Sequence, residues 1–429
     1  MRAFPTDWRR ALGLGAVTSA VLLGPGLVGA AGAQPAPATP SQCVTCHATL
    51  ADAAAARDVA DDVHGKRGFG CVDCHGGDAT ATDRTAAHDV KKGYRGVLTG
   101  QAIVATCTKC HADAAFMRTY APAQRVDQGA EYATSVHGQR LATGDSKVAT
   151  CASCHGAHGI RAVRDAKSPV YPTNVAATCA KCHADATHMA GYKVAGGPLP
   201  TTQYADYQKS VHYAAMTKQQ DLAAPTCNDC HGNHGAAPPG VGAVANVCGT
   251  CHAVFAERFA LSTHKDVFDR GCVECHSNHA VLKPSDELLG AGKDTLCATC
   301  HEDDAGAKAA TAMRASIDSL RTSVDRASSL VAELHNAGLE VGEQEIALRE
   351  AQNHVTLTRT ELHTWHEENV KKVVDDGLAI TAKIEAAAQQ GRNELRYRRT
   401  GLAVSMIAIL LVVVALVLKI RDIEHRQAG

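Results

Sequence analysis

The chain has 429 residues, with 43 Lys and Arg against 44 Asp and Glu and a formal net charge of −1. So even a balance gives no footing for a nucleic-acid partner or for electrostatic attachment to an anionic surface. Aromatic residues make up only 4% and glycine occurs 37 times, so bulky apolar material is too scarce for an ordinary core of this length. Length alone suggests two or three domains.

Residues 1–33 have the layout of a secretory signal. Arg2, Arg9 and Arg10 form a basic start, an apolar stretch runs from Ala11 to Val28, and Ala31-Gly32-Ala33 fits a small-residue cleavage site. Residues 34–42, rich in Pro and Ala, read as an extended linker.

From 43 to 304 one pentapeptide dominates. All 18 cysteines fall in nine copies of C-x-x-C-H. The pairs are Cys43/Cys46, Cys71/Cys74, Cys107/Cys110, Cys151/Cys154, Cys179/Cys182, Cys227/Cys230, Cys248/Cys251, Cys272/Cys275 and Cys297/Cys300. They are closed by His47, His75, His111, His155, His183, His231, His252, His276 and His301. Zinc ribbons and disulfide frameworks also use paired cysteines, but neither requires a histidine after every second one. Nine such histidines by chance would have a probability on the order of 10⁻¹¹, and C-x-x-C-H is the attachment signal for c-type haem. The thiols bond to the porphyrin and the histidine ligates the iron from one face. Nine covalently bound haem c groups are therefore expected, in an exported compartment.

Each iron has a second axial position. Removing the nine motif histidines from 23 leaves fourteen, and nine of these lie in the motif-bearing stretch: His64, His88, His137, His158, His188, His212, His234, His264 and His279. The match predicts bis-histidine ligation throughout. Their placement is repetitive. After the lone first motif come four two-motif repeats, opened by His64, His137, His212 and His264. In the last three, the first motif continues as "CHGAHG", "CHGNHG" and "CHSNHA", which supplies His158, His234 and His279. The first repeat has Asp78 at that place, with His88 ten residues on as the substitute. A histidine three residues past the motif lies on the same side as the motif histidine, so it should serve a neighbouring haem rather than its own. Met117, Met189 and Met216 are alternative ligands that fit no repeat position. With about 29 residues per motif, the chain should be short helices and loops wrapped around an elongated row of porphyrins, which stand in for a core.

From about 305 cysteine disappears. Ile317, Leu320, Val324, Ala327, Val331 and Leu334 follow a heptad seam, and Gly338 suits a helix end. A second helix carries Leu348, Val355 and Leu362 alternating with Ala351, Thr358 and Trp365, and Gly377 is expected to interrupt the chain before a third helical stretch. Residues 305–398 are thus predicted as a helical hairpin or stalk, with a homodimer through it as the alternative arrangement. His335, His354, His363 and His366 lie here and could supplement or replace a haem ligand. Residues 401–418 carry no charge and span about 27 Å, enough to cross a bilayer. The expected segment is a single transmembrane helix over 399–420 with a cytoplasmic tail at 421–429. An exported domain before it puts the haems on the periplasmic side of the cytoplasmic membrane.

The nine motifs, the "SVHG…CxxCHGxHG" repeats and the C-terminal anchor resemble the membrane-anchored multihaem c-type cytochromes of the doubled-CxxCH, cytochrome c3-like group. The resemblance covers residues 43–303, and the helical tail only loosely. It differs from the quinol-dehydrogenase members, which carry an N-terminal anchor and fewer haems. The resemblance implies a mainly α fold with much irregular loop. It also implies electron transfer between a membrane quinol oxidoreductase and other respiratory redox proteins in anaerobic-type respiration. No catalytic residue is expected. The alternative is a multihaem reductase of a small nitrogen or sulfur oxyanion, which needs an iron with one open position.

Overall fold

The computed structural model describes residues 41–51, 53–194, 196–240, 243–302 and 304–427. The expected signal sequence (1–33) and nearly all of the linker (34–42) lie outside the described residues. The chain is mainly helical and divides into two compact units, one ending at Arg95 and one beginning at Gly96.

The first unit holds two motifs. Gln42–His47 forms one helix and Cys71–His75 another, and they are joined by the short helix Ala54–Asp58 and the 3-10 turn Gly65–Arg67. Asp83 then caps a further turn, Arg84–Ala87, by accepting from the Ala86 amide.

In the second unit, motifs are housed in two alternating ways. Cys107/Cys110 and Cys179/Cys182 lie at the ends of longer helices, Gln101–His111 and Pro172–His183. Cys151/Cys154 and Cys227/Cys230 instead open single-turn helices, Cys151–His155 and Cys227–His231, behind Thr150 and Thr226 as caps. After the longer helices, Asp113 and Asp185 cap the next turn, and Met117 and Met189 are buried beneath it. These two methionines stand six residues past His111 and His183, so they do share a repeat position. They fill local core. A two-stranded antiparallel ribbon pairs Lys193–Val194 with Gly197–Pro198.

Apolar burial is distributed very unevenly. Among the described residues up to 302, eight apolar side chains are buried, Met117, Leu141 and Met216 among them, whereas fifteen are buried between Ala307 and Ala388. Among the described residues, the extensive core of side chains therefore lies in the C-terminal part.

That core belongs to a bundle of three helices rather than two. The first bundle helix is Ala305–Asn336, the second Gly342–Glu361, and the third Glu367–Gln427. Ile317, Leu320, Val324, Ala327, Val331 and Leu334 of the expected seam are all buried. Leu320, Val324, Ala327, Val331 and Leu334 meet Ala351 from the second helix and Val374, Ile384 and Ala388 from the third. On the third helix the buried positions 370, 374, 377, 381, 384 and 388 repeat at four and three, the spacing of a helix face packed on its neighbours. Gly377 does not interrupt this helix. A Cβ there would lie 2.8 Å from Leu320 Cδ1 and 2.9 Å from His354 Cβ, so glycine is what lets the three helices approach. The third helix continues without a break through 401–418, where its apolar side chains are exposed all round and where it is long and apolar enough to cross a membrane.

Candidate cofactor sites

Each single-turn motif helix places its two cysteines and its histidine at i, i+3 and i+4, on one face of one turn. The turn then stops sharply. Gly76, Gly156 and Gly232 follow the motif histidine with φ of 69°, 87° and 82°. At Gly76 the close approach of the Gly93 carbonyl, 1.9 Å from where a Cβ would stand, excludes any larger residue. Ser277 occupies this place in the Cys272 motif with φ 63° and ψ 176°, a region natural only to glycine.

The eighteen cysteines lie nearer the surface than cysteines ordinarily do. A cysteine acting as a small hydrophobe is among the most buried of residues. Here Cys46 and Cys74 are exposed, as are Cys230, Cys251 and Cys300, while Cys110 and the others are half-buried. Such exposure suits side chains that bond to a prosthetic group rather than pack in a core. The second cysteines of the first three motifs are held through their backbones. The Cys46 carbonyl accepts from Thr49 Oγ1 at 2.7 Å, that of Cys74 accepts from the Arg95 guanidinium, and that of Cys110 accepts from the Asp113 amide at 3.0 Å. The main chain is thereby fixed on either side of each sulfur without enclosing it.

Because the helix ends at Gly232, His234 is thrown clear of its own motif. Its ring stacks 6.1 Å from that of His155, at an interplanar angle of 10°. The arrangement recurs. His279 stacks 6.1 Å from His231 at 7°. His137 lies 6.2 Å from His183, His212 6.3 Å from His252, and His264 6.1 Å from His301. In the first unit His88 lies 6.1 Å from His47. A seventh pair joins His276 to His363 of the bundle at 6.2 Å and 17°.

The constancy of the separation is informative. Imidazoles in direct stacking contact would be closer, and unrelated ones would scatter. A metal–nitrogen bond of about 2.0 Å on each side, with each ring centroid roughly 1.1 Å behind its nitrogen, puts the centroids about 6.2 Å apart. The seven pairs therefore fit an iron held between two histidines. The thiols beside them fit the attachment chemistry, since C-x-x-C-H implies covalently bound haem c.

The pairs follow a rule that the spacing had not revealed. The +3 histidine of one single-turn motif faces the motif histidine of the previous single-turn motif, two motifs back: His234 opposite His155, and His279 opposite His231. The histidine that opens a repeat faces the second motif histidine of that same repeat: His137 opposite His183, His212 opposite His252, and His264 opposite His301. Backbone bonds hold the repeats in this register. The Val136 amide donates to the Ala236 carbonyl (3.0 Å), and the equivalent Val211 amide donates to Val281 (2.9 Å). Tyr132 and Tyr207, another repeated position, donate to the carbonyls of Ala149 and Pro225 just ahead of the next cysteine. Ser135 and Ser210, wholly buried, cap the turns that carry His137 and His212.

The second ring nitrogen of several of these histidines is engaged. His88 and His363 each direct Nδ1 to the carbonyl four residues back, Arg84 at 2.9 Å and Arg359 at 3.0 Å. His301 meets Asp304 at 2.8 Å, and His234 lies 3.6 Å from Glu131. The bonds of His88, His363 and His301 fix the tautomer and leave Nε2 as the donor to a metal. Burial holds His137, His155 and His363 below the usual histidine pKa, in the neutral form that can donate to iron.

Six of the nine expected second ligands, His88, His137, His212, His234, His264 and His279, stand in these pairs, and His188 does not. Its amide bonds Asp185, and the position it occupies after His183 is held by Phe116 after His111. The structure brings His137, not His188, to His183. His363 instead stands in a pair, opposite His276. The spacing gave no hint of it, because its link to His276 is purely tertiary. His354 faces the Val373 carbonyl and His335 faces Glu345. His64 rests on Asp62.

Neighbouring motifs also approach one another through their cysteines. Cys107 lies within hydrogen-bonding reach of Cys151, Cys179 of Cys227, and Cys248 of Cys272. Cys154 neighbours Cys182, Cys230 neighbours Cys251, and Cys275 neighbours Cys297. From Cys107 to Cys248 the motifs thus lie next to one another in chain order, first cysteine near first and second near second, and Cys275 lies near both Cys297 and Cys300. In the first unit, Cys43 similarly meets Cys71.

The family model of the doubled CXXCH motif matches residues 264–306, the stretch holding the last two motifs. This match supports a multihaem c-type cytochrome involved in electron transfer. No curated protein and no solved structure matches the chain.

Proposed function

We propose that this chain is a nonahaem c-type cytochrome in which every iron is held by two histidines, and that it conducts electrons along the row of motifs. The observation that carries the reading is the seven imidazole pairs, all separated by 6.1–6.3 Å. Bound haem supplies a one-electron ferric/ferrous couple, and imidazole on both faces favours low potentials and leaves no position for a substrate. The protein's part is to fix the centres and to space them. The covalent thioethers, the interlocked +3 turns and the buried serine caps all act to that end.

The apolar run at 401–418 anchors the protein in the membrane with the haem-bearing part on the exported, periplasmic side. In this position it would exchange electrons with a membrane quinol oxidoreductase and with other respiratory redox proteins. The test is the purified, matured protein. Intact mass should show nine covalently bound haems, and the ferric electron paramagnetic resonance spectrum should be wholly low-spin. A persistent high-spin ferric signal would transfer the case to a reductase with an open iron.

A further inference from the structure

The membrane-proximal bundle would be a mere anchor if it contributed nothing to the haem row. The geometry points to a closer role: we infer that His363, at the turn between the second and third bundle helices, is the second axial ligand of the haem attached at Cys272 and Cys275. This inference rests on the reading of the motifs as haem sites.

Three observations converge on it. First, the His363 and His276 rings lie 6.2 Å apart at 17°, matching the other two stacked pairs, at 10° and 7°. Second, the repeat rule leaves this one centre unsupplied. Its ligand should come from a +3 histidine two motifs further on, and the array ends one motif later at His301. The same logic applies at the other end. Asp78 stands where a +3 histidine would have no earlier motif to serve, and His88 supplies His47 instead. His88 and His363 are therefore the two terminal caps of the array, and both are oriented by a carbonyl four residues back.

Third, the turn bearing His363 is built as a seat. Phe255 packs edge-on against its ring at 5.0 Å, and Arg258 pairs with Glu361 at 2.6 Å. Thr364 is buried, and Trp365 is held at φ 53°, a strained conformation for a tryptophan. That tryptophan lies edge-on to His264, 5.1 Å away, the partner of His301. One five-residue turn thus touches both of the last two centres. The bundle completes the eighth haem site and braces the ninth, so these are the centres through which the anchored end of the protein meets the row.

The test uses full-length holoprotein in detergent. Wild type should carry nine haems, all low-spin. His363→Ala should retain nine haems by mass but convert one ninth of them to high-spin ferric, with added imidazole restoring the low-spin spectrum. His188→Ala should leave the spectrum unchanged. If the alanine variant sheds a haem, His363→Met should keep nine and give one ninth of them the absorption of methionine–histidine ligation, with a raised potential. A His363→Ala spectrum identical to wild type, or the conversion appearing in His188→Ala instead, overturns the inference while leaving the nonahaem reading intact. Wild type without nine haems overturns both.

Discussion

Asp286 clamps the loop ahead of the last motif to the helical bundle, and its neutralisation tests how firmly the two are joined. Its carboxylate is almost fully buried at 6% side-chain exposure. It accepts from Arg359 Nε at 2.9 Å and Nη2 at 2.7 Å, and from Arg321 at 3.4 Å, while Arg314 donates to its backbone carbonyl. Asp286→Asn keeps the shape but retains one accepting oxygen and presents an amide N–H₂ to a guanidinium. Hydrogen bonds to charged groups are worth about 1.5–3 kcal/mol. Arg359 and Arg321 are 48% and 49% exposed and can rehydrate. The loss should therefore fall in the lower half of that range, about 2 kcal/mol, or roughly a 30-fold rise in local opening. Hydrogen exchange read by mass spectrometry on holoprotein should show this acceleration in peptides covering 284–290 and 357–366. A change below about 3-fold would mean that the clamp contributes little and that apolar packing alone holds the loop. Because Arg359 lowers the Asp286 pKa in the folded protein, the contribution is complete above the unfolded carboxylate value of about 3.9 and is lost as pH falls below it. In wild type the same peptides should accordingly loosen under acid, and the variant should show less of that dependence.

Other consequences are as direct. Ser277→Gly relieves a backbone conformation costing about 1–3 kcal/mol, so exchange in peptides covering 272–281 should slow; faster exchange would show that the serine side chain makes an unrecognised contribution. Gly377→Ala gains about 1 kcal/mol of helix propensity but meets Leu320 and His354 at under 3 Å, an overpacking cost of about 1–3 kcal/mol. A net loss of about 1 kcal/mol is expected in the opening energy of the bundle helices, and a net gain would refute the close-approach role of this glycine.

Much of this was legible because the chemistry is local. Cys227, Cys230 and His231 declare a haem turn in five letters, and "CHGNHG" shows that His234 leaves its own motif. The heptad seam from Ile317 to Leu334 was equally plain, since burial on one helix face leaves a periodic trace. What could not be read depends on contacts between distant parts of the chain. His188 and His363 are alike as isolated letters. Only the fold shows that His363 faces His276 while Asp185 holds the backbone of His188. Gly377 was expected to break a helix because an isolated glycine lowers helix propensity, yet three helices crossing at that point need its missing side chain. The third seam, from Val370 to Ala388, was present in the letters and was obscured by that same glycine.

The offset supply of ligands has a consequence for how such a chain can change in length. The repeat with Cys227 and Cys248 receives His279 from its successor and gives His234 to its predecessor, so a copy inserted beside it finds both a donor and a recipient ready. The ends have no such tolerance. His88 and His363 are singular, and on the proposed ligation an extension beyond either would strand an iron. A lineage of such proteins would therefore lengthen or shorten by internal duplication or excision, with both tips left intact.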